Sequence, residues 1–439
     1  MNLRSHPYEA YRVSKGAWVD QTPFEWEEKR VKDLFRLVTD KAAVDNDHEL
    51  LSLYASIGVR PRKDLEARGN KASSTDGYWV VKKGDIVVNK LLAWMGSIGL
   101  SDYDGVTSPA YDVLRKTTQA LDERYFSYLF RTEIAKQIFK RNSRGIMDMR
   151  LRLYFDKLGS ITVPVPSFST QQIIANYIDT KTAQIDRQID LLYQKATQYG
   201  KLKQSLISEA VTRGLDKSVP MKDSGVKRVG DVPKHWAVKR IKEFSYIVNG
   251  ATPKSNVSEN WNGDLPWVTT DDLGKLSGKF ITETKRKLTE IGYASCGTTI
   301  CPAGSVVISG RAPIGHLGIL AIHASTNQGC KTLVINHRRA SNLYIFFSLM
   351  AAKSKLEALG RGTTFIELST KELGLFDLAF PPLGEQQVIA AYLDKQTNQL
   401  DRIVDTINSQ IDMLKDLRKA LINDVVTGKI KVVSEGQTA

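Results

Sequence analysis

Two long stretches of the chain carry apolar residues at alternating intervals of four and three positions, which is the heptad spacing of a coiled-coil seam. One cation in each stretch, Lys203 or Arg418, interrupts the apolar series. Each stretch predicts a long helical arm, and we expect two arms of similar length to pair with each other. The predicted seam residues are Ile185, Ile189, Leu192, Ala196, Tyr199 and Leu206 in the first arm and Leu400, Val404, Ile407, Ile411, Leu414 and Leu421 in the second.

Start and stop signals flank the arms. Ser169 with Gln172 has the spacing of a capping box at the start of the first arm. Gly214 and Gly428 are typical stop residues, because glycine readily adopts the left-handed conformation of a helix C-cap. A continuous helix over residues 171–213 would rise roughly 60 Å at about 1.5 Å per residue. The arms are therefore expected to be longer than a small domain is wide.

The second half of the chain repeats the first at an offset of about 215 residues. The clearest copy runs from Gln171-Gln172 to Gln386-Gln387 and continues without a gap to the ends of both arms. Weaker matches precede it, and they include Pro23, Trp26, Gly84, Gly96 and Gly99 against Pro233, Trp236, Gly304, Gly315 and Gly318. Each repeat is therefore a globular lobe followed by a helical arm.

The lobes mix short β-rich runs with helical segments. Residues 78–81 and 305–308 read as strands, and residues 123–139 and 343–359 read as helical. The predicted fold class is α+β, with two mixed α/β domains and two long helices. The predicted boundaries are 1–166 for the first domain, 167–215 for the first arm, 216–381 for the second domain, 382–430 for the second arm and 431–439 for a tail.

The charge follows this division. The net charge of +14 suggests a polyanionic partner. It is divided as +5 over residues 1–160, +2 over 161–215, +8 over 216–380 and −1 over 381–439. This partition assigns the polyanion contacts to the lobes and leaves near-neutral arms to contact each other and protein partners.

The first residues, the longest apolar run and the cysteines indicate the cellular compartment of the protein. The first residues lack the apolar core of a signal peptide, and the longest apolar run, near residues 344–352, is too short to span a bilayer. The three cysteines, Cys296, Cys301 and Cys330, argue against a disulfide framework and for a reducing compartment. We therefore expect a cytoplasmic protein.

The sequence predicts no catalytic site and no bound metal or cofactor. It lacks the P-loop, the dinucleotide turn and the HExxH and GxSxG motifs. Asp272 followed by Glu283 and Lys285 has the order of acids and lysine seen in Mg²⁺-dependent nucleases, but such triplets arise readily in a highly charged chain. Cys296 and Cys301 are spaced too loosely for a convincing zinc site. We interpret both patterns as incidental.

Basic clusters in predicted loops are the candidate DNA contacts. Arginine can bind guanine edges or phosphates through its forked donors, and lysine neutralises phosphates. For any one cluster a solvated surface remains the alternative interpretation. The candidates are Arg60, Arg62, Lys63, Lys71, Arg141, Arg144, Lys285, Arg286, Lys287, Arg311, Arg338 and Arg361.

Two basic lobes, each followed by a proline-rich strand and a Gln-Gln-Ile/Val-Ile-Ala helix start with a downstream Asp-Arg, resemble the specificity subunits of type I restriction-modification systems. The resemblance spans essentially the whole chain, and its specific part is the helix start at Gln171-Gln172 and Glu385-Gln386-Gln387. The first copy has Thr170 where this pattern favours glutamate, which puts any role of that carboxylate in the first arm in doubt.

The resemblance implies a non-catalytic DNA-binding subunit with two target recognition domains. Each domain would read one half of a split, asymmetric sequence in double-stranded DNA, and the arms would form an antiparallel coiled coil between them. It also implies assembly with two modification subunits that carry S-adenosylmethionine and two ATP-dependent restriction subunits. ATP, Mg²⁺ and S-adenosylmethionine would then be bound by the partners.

Two other interpretations stay open. One is the recognition part of another restriction-methylation system, although the Asn/Asp-Pro-Pro-Tyr/Phe signature of adenine methyltransferases is missing. The other is a non-catalytic scaffold whose coiled coil dimerises and whose lobes bind protein. The charge partition favours DNA over the scaffold.

Overall fold

A computed structural model describes most of the chain as two compact units. The described residues are 5–16, 18–54, 58–64, 75–146, 150–311, 313–360 and 367–432. Unit 1 comprises Met1–Leu192 with Ser409–Ala439, and unit 2 comprises Tyr193–Asn408. Each unit therefore contains one lobe, the first part of the arm that follows it and the last part of the other arm.

The elements of the first lobe end in the helix α5, which is the first arm. Its strands are β1 (Ser5–His6), β2 (Tyr11–Val13), β3 (Gln21–Pro23), β4 (Glu27–Arg30), β5 (Phe35–Leu37), β6 (Leu51–Tyr54), β7 (Gly58–Pro61), β8 (Trp79–Val81), β9 (Ile86–Asn89), β10 (Ile98–Leu100), β11 (Gly105–Thr107), β12 (Tyr111–Lys116) and β13 (Thr162–Val165). Its helices are α1 (Val31–Leu34), α2 (Glu123–Leu129), α3 (Glu133–Asn142), α4 (Phe155–Leu158) and α5 (Phe168–Arg213).

The second lobe follows the same plan and ends in α11, the second arm. Its strands are β14 (Met221–Asp223), β15 (Asp231–Pro233), β16 (Ala237–Arg240), β17 (Ser245–Asn249), β18 (Trp261–Val268), β19 (Phe280–Ile281), β20 (Arg286–Leu288), β21 (Val306–Ser309), β22 (Leu317–Leu320), β23 (Ser325–Thr326), β24 (Cys330–Ile335) and β25 (Asp377–Phe380), with β26 (Lys431–Val432) after the arm. Its helices are α6 (Thr270–Gly274), α7 (Glu290–Ala294), α8 (Asn342–Ala351), α9 (Lys353–Glu357), α10 (Thr370–Gly374) and α11 (Leu383–Val426).

The central sheets of the two lobes have the same topology. Unit 1 has the order β10-β9-β12-β5, and unit 2 has β17-β24-β21-β22-β19, so β5, β12, β9 and β10 correspond to β17, β24, β21 and β22. The sheet of unit 2 gains β19, which pairs parallel to β22. The predicted α+β class and the repeat of two mixed domains are confirmed.

The strands β9 and β21 begin with three consecutive apolar residues because both of their faces are covered. In β9, Ile86 and Val88 point into the large core of unit 1, whereas Val87 belongs to a second, smaller cluster. In β21, Val306 and Val307 divide between two clusters in the same way. The period of two along a strand sends neighbouring side chains to opposite faces.

The helical segments of the lobes are shorter than predicted. Residues 123–139 form α2 and α3, separated by a break at residues 130–132. Thr132 caps α3, since its side chain accepts a hydrogen bond from the Ala135 amide at 3.2 Å. The segment 343–359 is likewise divided into α8 and α9. Both segments are helical, as predicted, but each of them is divided into two shorter helices.

The prediction of two long helical arms is confirmed, but the predicted capping box at Ser169 was wrong. The helix α5 begins at Phe168, and Ser167 rather than Ser169 caps it, with the Thr170 amide donating to the Ser167 hydroxyl at 3.3 Å. The helices end at Arg213 and Val426. Gly214 follows the first end with φ of 76°, as a left-handed cap requires.

The seam residues lie on the least exposed stripe of each arm. Ile185, Ile189, Ile407 and Ile411 are buried, and the other eight predicted seam residues are half-buried. The positions between them are mostly exposed. This burial pattern is the one that a pair of packed helices produces.

The arms pair antiparallel within each unit. In unit 1, Arg418 of α11 lies 3.0 Å from the carboxylate of Asp186 in α5. In unit 2, Lys203 of α5 lies 2.6 Å from Asp401 of α11. These two ion pairs occupy equivalent positions of the repeat. The cations that interrupt the predicted seam are therefore each paired with an acid of the other arm.

Each lobe core includes the end of the arm that follows the other lobe. In unit 1, the buried Tyr125 hydroxyl lies 3.2 Å from the Pro164 carbonyl and 3.0 Å from the Val426 carbonyl. In unit 2, the buried Tyr344 hydroxyl lies 3.2 Å from the Val211 carbonyl and 2.9 Å from the Ala379 carbonyl. One tyrosine thus joins a lobe strand and the last turn of an arm in both units.

Replacing Tyr344 by Phe should lower the free energy of unfolding by about 1–3 kcal/mol, because two buried carbonyl groups lose a shared donor. Urea unfolding followed by circular dichroism measures this. The matched control is Tyr246→Phe, since the Tyr246 side chain is 62% exposed. Equal stability of Tyr344→Phe and the wild-type chain would contradict a stabilising role of the hydroxyl.

Among the described residues, no helix combines the length and the apolar character needed to cross a membrane.

Candidate nucleic-acid interface

Two of the predicted basic clusters lie in or directly beside equivalent strands of the two lobes. In unit 2, β18 pairs parallel with β23 and antiparallel with β20, which is the outer strand of the sheet β20-β18-β23. In unit 1, Leu50 bridges in parallel to Val106 of β11, and β6 pairs antiparallel with β7. The strand β7 therefore corresponds to β20. We name Arg60, Arg62 and Lys63 the first strand cluster and Lys285, Arg286 and Lys287 the second strand cluster.

An aromatic platform supports the arginine of the second strand cluster. The Arg286 guanidinium lies 3.6 Å from the ring centroid of Trp261 and 5.4 Å from that of Trp267. The two indole rings contact edge to face at 5.2 Å and bury Leu288 beside them. Arg286 nevertheless remains exposed. The guanidinium is held by cation–π attraction while part of it stays accessible.

The second strand cluster carries three unneutralised cations. Lys285 and Lys287 are exposed, as is Arg286. In the part of the chain that the structure describes, none of the three has a carboxylate within ion-pair distance. Three neighbouring exposed cations with no ion-pair partner among the described residues are suited to bind phosphates.

In the first strand cluster, Arg60 and Lys63 contact other side chains of the lobe. The Arg60 guanidinium lies 5.8 Å from the ring centroid of Tyr103, and one of its nitrogens donates to the Tyr103 hydroxyl at 3.4 Å. The ammonium of Lys63 pairs with Glu49, and this hydrogen bond raises the pKa of Lys63. Arg62 opens the short 3-10 helix after β7. The aromatic support of one arginine recurs, but the charge is partly neutralised.

The other predicted contacts are not gathered at these strands. Arg141 lies in the last turn of α3, and Arg144 pairs with Asp156 at 3.0 Å. Arg311 lies 4.0 Å from Glu367. Arg338 is exposed in the turn between β24 and α8. Lys71 and Arg361 lie outside the described residues.

Asp272 and the cysteines weighed as a nuclease or zinc site lie in structural surroundings. The carboxylate of Asp272 accepts from the Thr269 amide at 2.8 Å and the Thr269 hydroxyl at 2.7 Å, which forms the capping box of α6. Of the two cysteines weighed as a zinc site, the Cys296 thiol lies 3.6 Å from the Gly292 carbonyl, and burial raises the pKa of the Cys301 thiol. Within the described residues, no group of three His, Cys, Asp or Glu side chains is placed to hold a metal ion.

Comparison with known proteins identifies the family. The model of the type I restriction modification DNA specificity domain matches the chain twice, over residues 23–194 and 233–413. The chain belongs to this family. The two matches coincide with the two repeats, each of them covering a lobe and the first part of its arm.

The similar proteins are themselves specificity subunits. The MjaIX specificity subunit of Methanocaldococcus jannaschii is 30% identical over 197 residues, which is 45% of this chain and 45% of that protein. The chain therefore spans about half the length of that relative in the alignment. The putative type I restriction enzyme MjaX specificity subunit of the same organism is 22% identical, and the alignment covers 94% of this chain and 96% of that protein.

A solved chain described for complex assembly and conformational transition of the type I R-M system shares the fold. It covers 96% of this chain and 100% of its own length with a TM-score of 0.73. The identity is 17%, so this likeness concerns the fold alone.

The glutamines of the repeated helix start connect each arm to its lobe. The buried Gln171 amide accepts from the Asp122 amide at 3.0 Å and donates to the Pro166 carbonyl at 2.8 Å. In unit 2, Gln386 contacts the Ser341 amide and the Pro381 carbonyl in the same way, at 2.9 Å for each contact. The sequence pattern marked these residues as a helix start, but their buried hydrogen bonds were missed.

The first repeat lacks both the glutamate of the helix start, replaced by Thr170, and the histidine that contacts this glutamate in the second repeat. In unit 2, the carboxylate of Glu385 lies 2.8 Å from the imidazole of His235, the residue before Trp236. In unit 1, Thr170 replaces the glutamate, and Glu25 occupies the position of the histidine. Both partners of this contact are therefore absent together from the first repeat.

Proposed function

We propose that this chain is the DNA-sequence-specificity subunit of a type I restriction-modification complex. Each unit binds double-stranded DNA through its lobe and reads one half of a split, asymmetric target. The observation that carries the proposal is the pair of equivalent strand clusters, each with an arginine supported by an aromatic ring, within a family of DNA specificity domains.

The proposal includes partner proteins that supply the chemistry. Two modification subunits, which bind S-adenosylmethionine, and two ATP-dependent restriction subunits, which use Mg²⁺, assemble on this chain in the cytoplasm. The chain itself binds no cofactor. The near-neutral arms and the names of the relatives, which are type I restriction enzyme subunits, support this division of roles.

The purified chain is expected to show no methylation, nuclease or ATPase activity. The reason is that Asp272, one of the acids resembling a nuclease site, is engaged in the capping box with Thr269. Assays with S-adenosylmethionine, with Mg²⁺ and with ATP, each on duplex DNA, test this. Turnover that persists at constant specific activity through successive purification steps would overturn the non-catalytic role.

The binding experiment uses the chain together with the modification subunit of its own host. Gel-shift titration on genomic fragments should give sequence-dependent complexes, and methylation of those fragments should require the chain. The modification subunit alone is the control and should bind no preferred fragment. If the assembled proteins form a complex without any affinity for DNA, the chain is a scaffold instead.

The second strand cluster should contribute strongly to the salt dependence of DNA binding. Replacing Lys285, Arg286 and Lys287 together by Ala should lower the slope of log affinity against log salt, at roughly 0.9 per lost phosphate contact, by up to about 2.7 if all three bind phosphates and by about 1.8 if only the two lysines do. The matched control removes the same charge from the exposed Lys222, Lys227 and Lys234 of unit 2. An unchanged slope in the cluster variant, or an equal drop in both variants, would show that the cluster makes no phosphate contacts of its own.

A further inference from the structure

Arg286 is the one cation of the second strand cluster that an aromatic surface holds in place. Its guanidinium centre lies 3.6 Å above Trp261, a residue that is only 8% exposed. Trp261 is in turn fixed by Trp267, whose indole nitrogen donates to the Ala251 carbonyl at 3.0 Å. The platform is therefore a rigid part of the sheet, while Lys285 and Lys287 have no comparable support among the described residues.

A held arginine and free lysines suit different parts of a DNA duplex. The planar guanidinium carries a fixed fork of donors that matches the O6 and N7 acceptors of guanine. Fixing the side chain before binding reduces the rotamer freedom lost when both hydrogen bonds form. A lysine ammonium is a flexible point charge without a fixed fork, which suits a phosphate, and a phosphate contact carries no base information directly.

We propose that Arg286 reads a guanine in the half-site of unit 2, with Trp261 as its positioning residue and Lys285 and Lys287 on the flanking phosphates. This inference rests on the proposed function and names one specificity-determining residue within it. The arrangement explains why a cation on an outer strand lies over two tryptophans and remains exposed instead of pairing with an acid. Arg60 over Tyr103 is the equivalent arrangement in unit 1, with a longer distance of 5.8 Å.

The test measures base preference at every position of the target. The chain and its modification subunit select from a duplex library randomised over the target, with the wild type and Arg286→Ala treated in parallel. Discrimination at one G·C pair should fall on the order of 5- to 150-fold in Arg286→Ala, the equivalent of the 1–3 kcal/mol of a bidentate base contact. The other positions should keep their preference.

Three further variants separate base reading from charge and from folding. Lys285→Ala with Lys287→Ala should weaken all sequences alike and leave the preference unchanged. Arg286→Lys keeps the charge, but should lose most of the discrimination because an ammonium lacks the fork. Trp261→Phe should reduce discrimination at the same base pair, and thermal unfolding of each variant checks that the sheet is intact.

Two outcomes overturn the inference. In one, Arg286→Ala keeps every base preference, which makes the stacked guanidinium a structural cover for Trp261. In the other, Arg286→Ala loses affinity for all sequences alike, which makes it a phosphate contact. Failure of the proposed function is distinguishable from both, because the wild-type complex itself would then select no sequence from the library.

Discussion

A fragment that ends at Lys217 should form a stable symmetric dimer. In unit 1, Val425 and Val426 from the end of α11 are fully buried in the lobe core, and the fragment lacks both. The fragment does contain Ala210 and Val211, which occupy the equivalent positions in the core of unit 2. The end of α5 from a second copy can therefore fill the open core. Burial of several apolar side chains at about 1.5–3 kcal/mol each makes this a large effect.

The dimer should also change the target. Two identical lobes related by a two-fold axis would read an inverted repeat of the first half-site, in place of an asymmetric target. Light scattering measures the mass, and selection from a duplex library measures the target. Val211→Asp should abolish the dimer because it places a charge in the shared core, whereas Ser205→Asp at an exposed position of the same arm should not. A folded monomer of the unaltered fragment would refute the pairing.

Adding seven residues to each arm should lengthen the spacer between the half-sites. Insertion of one heptad after Ala196 and one after Ile411 preserves the apolar stripe of both helices. Each arm then gains roughly 10.5 Å at about 1.5 Å per residue, which corresponds to about three base pairs at about 3.4 Å each. Methylation by the reconstituted complex, measured on a library of spacer lengths, should shift to longer spacers.

Rotation of the DNA should weaken binding to the lengthened target. Three base pairs turn the second half-site by roughly 100° at about 10.5 base pairs per turn, whereas a heptad hardly rotates the coil. Untwisting the DNA to compensate costs on the order of a few kcal/mol. A four-residue insertion in each arm is the control, because it moves the apolar stripe and should reduce assembly. If the heptad variant prefers the original spacer or loses its preference, the arms do not set the spacing.

The arms could be predicted from the sequence because their structure depends on local periodicity. Seven-residue spacing of apolar side chains defines a helix face whatever the remainder of the chain does. The capping residue of α5 was predicted two positions too late, at Ser169 instead of Ser167, because both serines are plausible caps and only the backbone decides between them. The ion pair of Arg418 with Asp186 could not be predicted from the sequence, because these residues are 232 positions apart.

The lobes were harder to predict because short strands pair over long sequence distances. The strands β6 and β7 are joined by three residues, whereas α6 and β19 are inserted between the equivalent β18 and β20. Because of this insertion, an alignment of the two repeats does not place the two strand clusters at matching positions. The basic cluster at 285–287 was visible in sequence, but its platform at Trp261 is 25 residues away.

Neutralisation of single cations was equally hidden from the sequence. Arg311 and Lys331 both contact Glu367, at 4.0 and 3.1 Å, although Glu367 lies more than 30 residues further along the chain. The sequence therefore identifies candidate basic clusters. The structure then distinguishes exposed cations without an ion pair from those already paired with an acid.

The most direct test of the two-reader account is a map of methylated bases in a host that expresses the modification subunit with either the full chain or the fragment of residues 1–217. Single-molecule sequencing should find one asymmetric target in two parts with the full chain. With the fragment, it should find an inverted repeat of one of those parts. Methylation at the same sites with both chains, or at sites that do not depend on either chain, would contradict the claim that each unit reads its own half of the target.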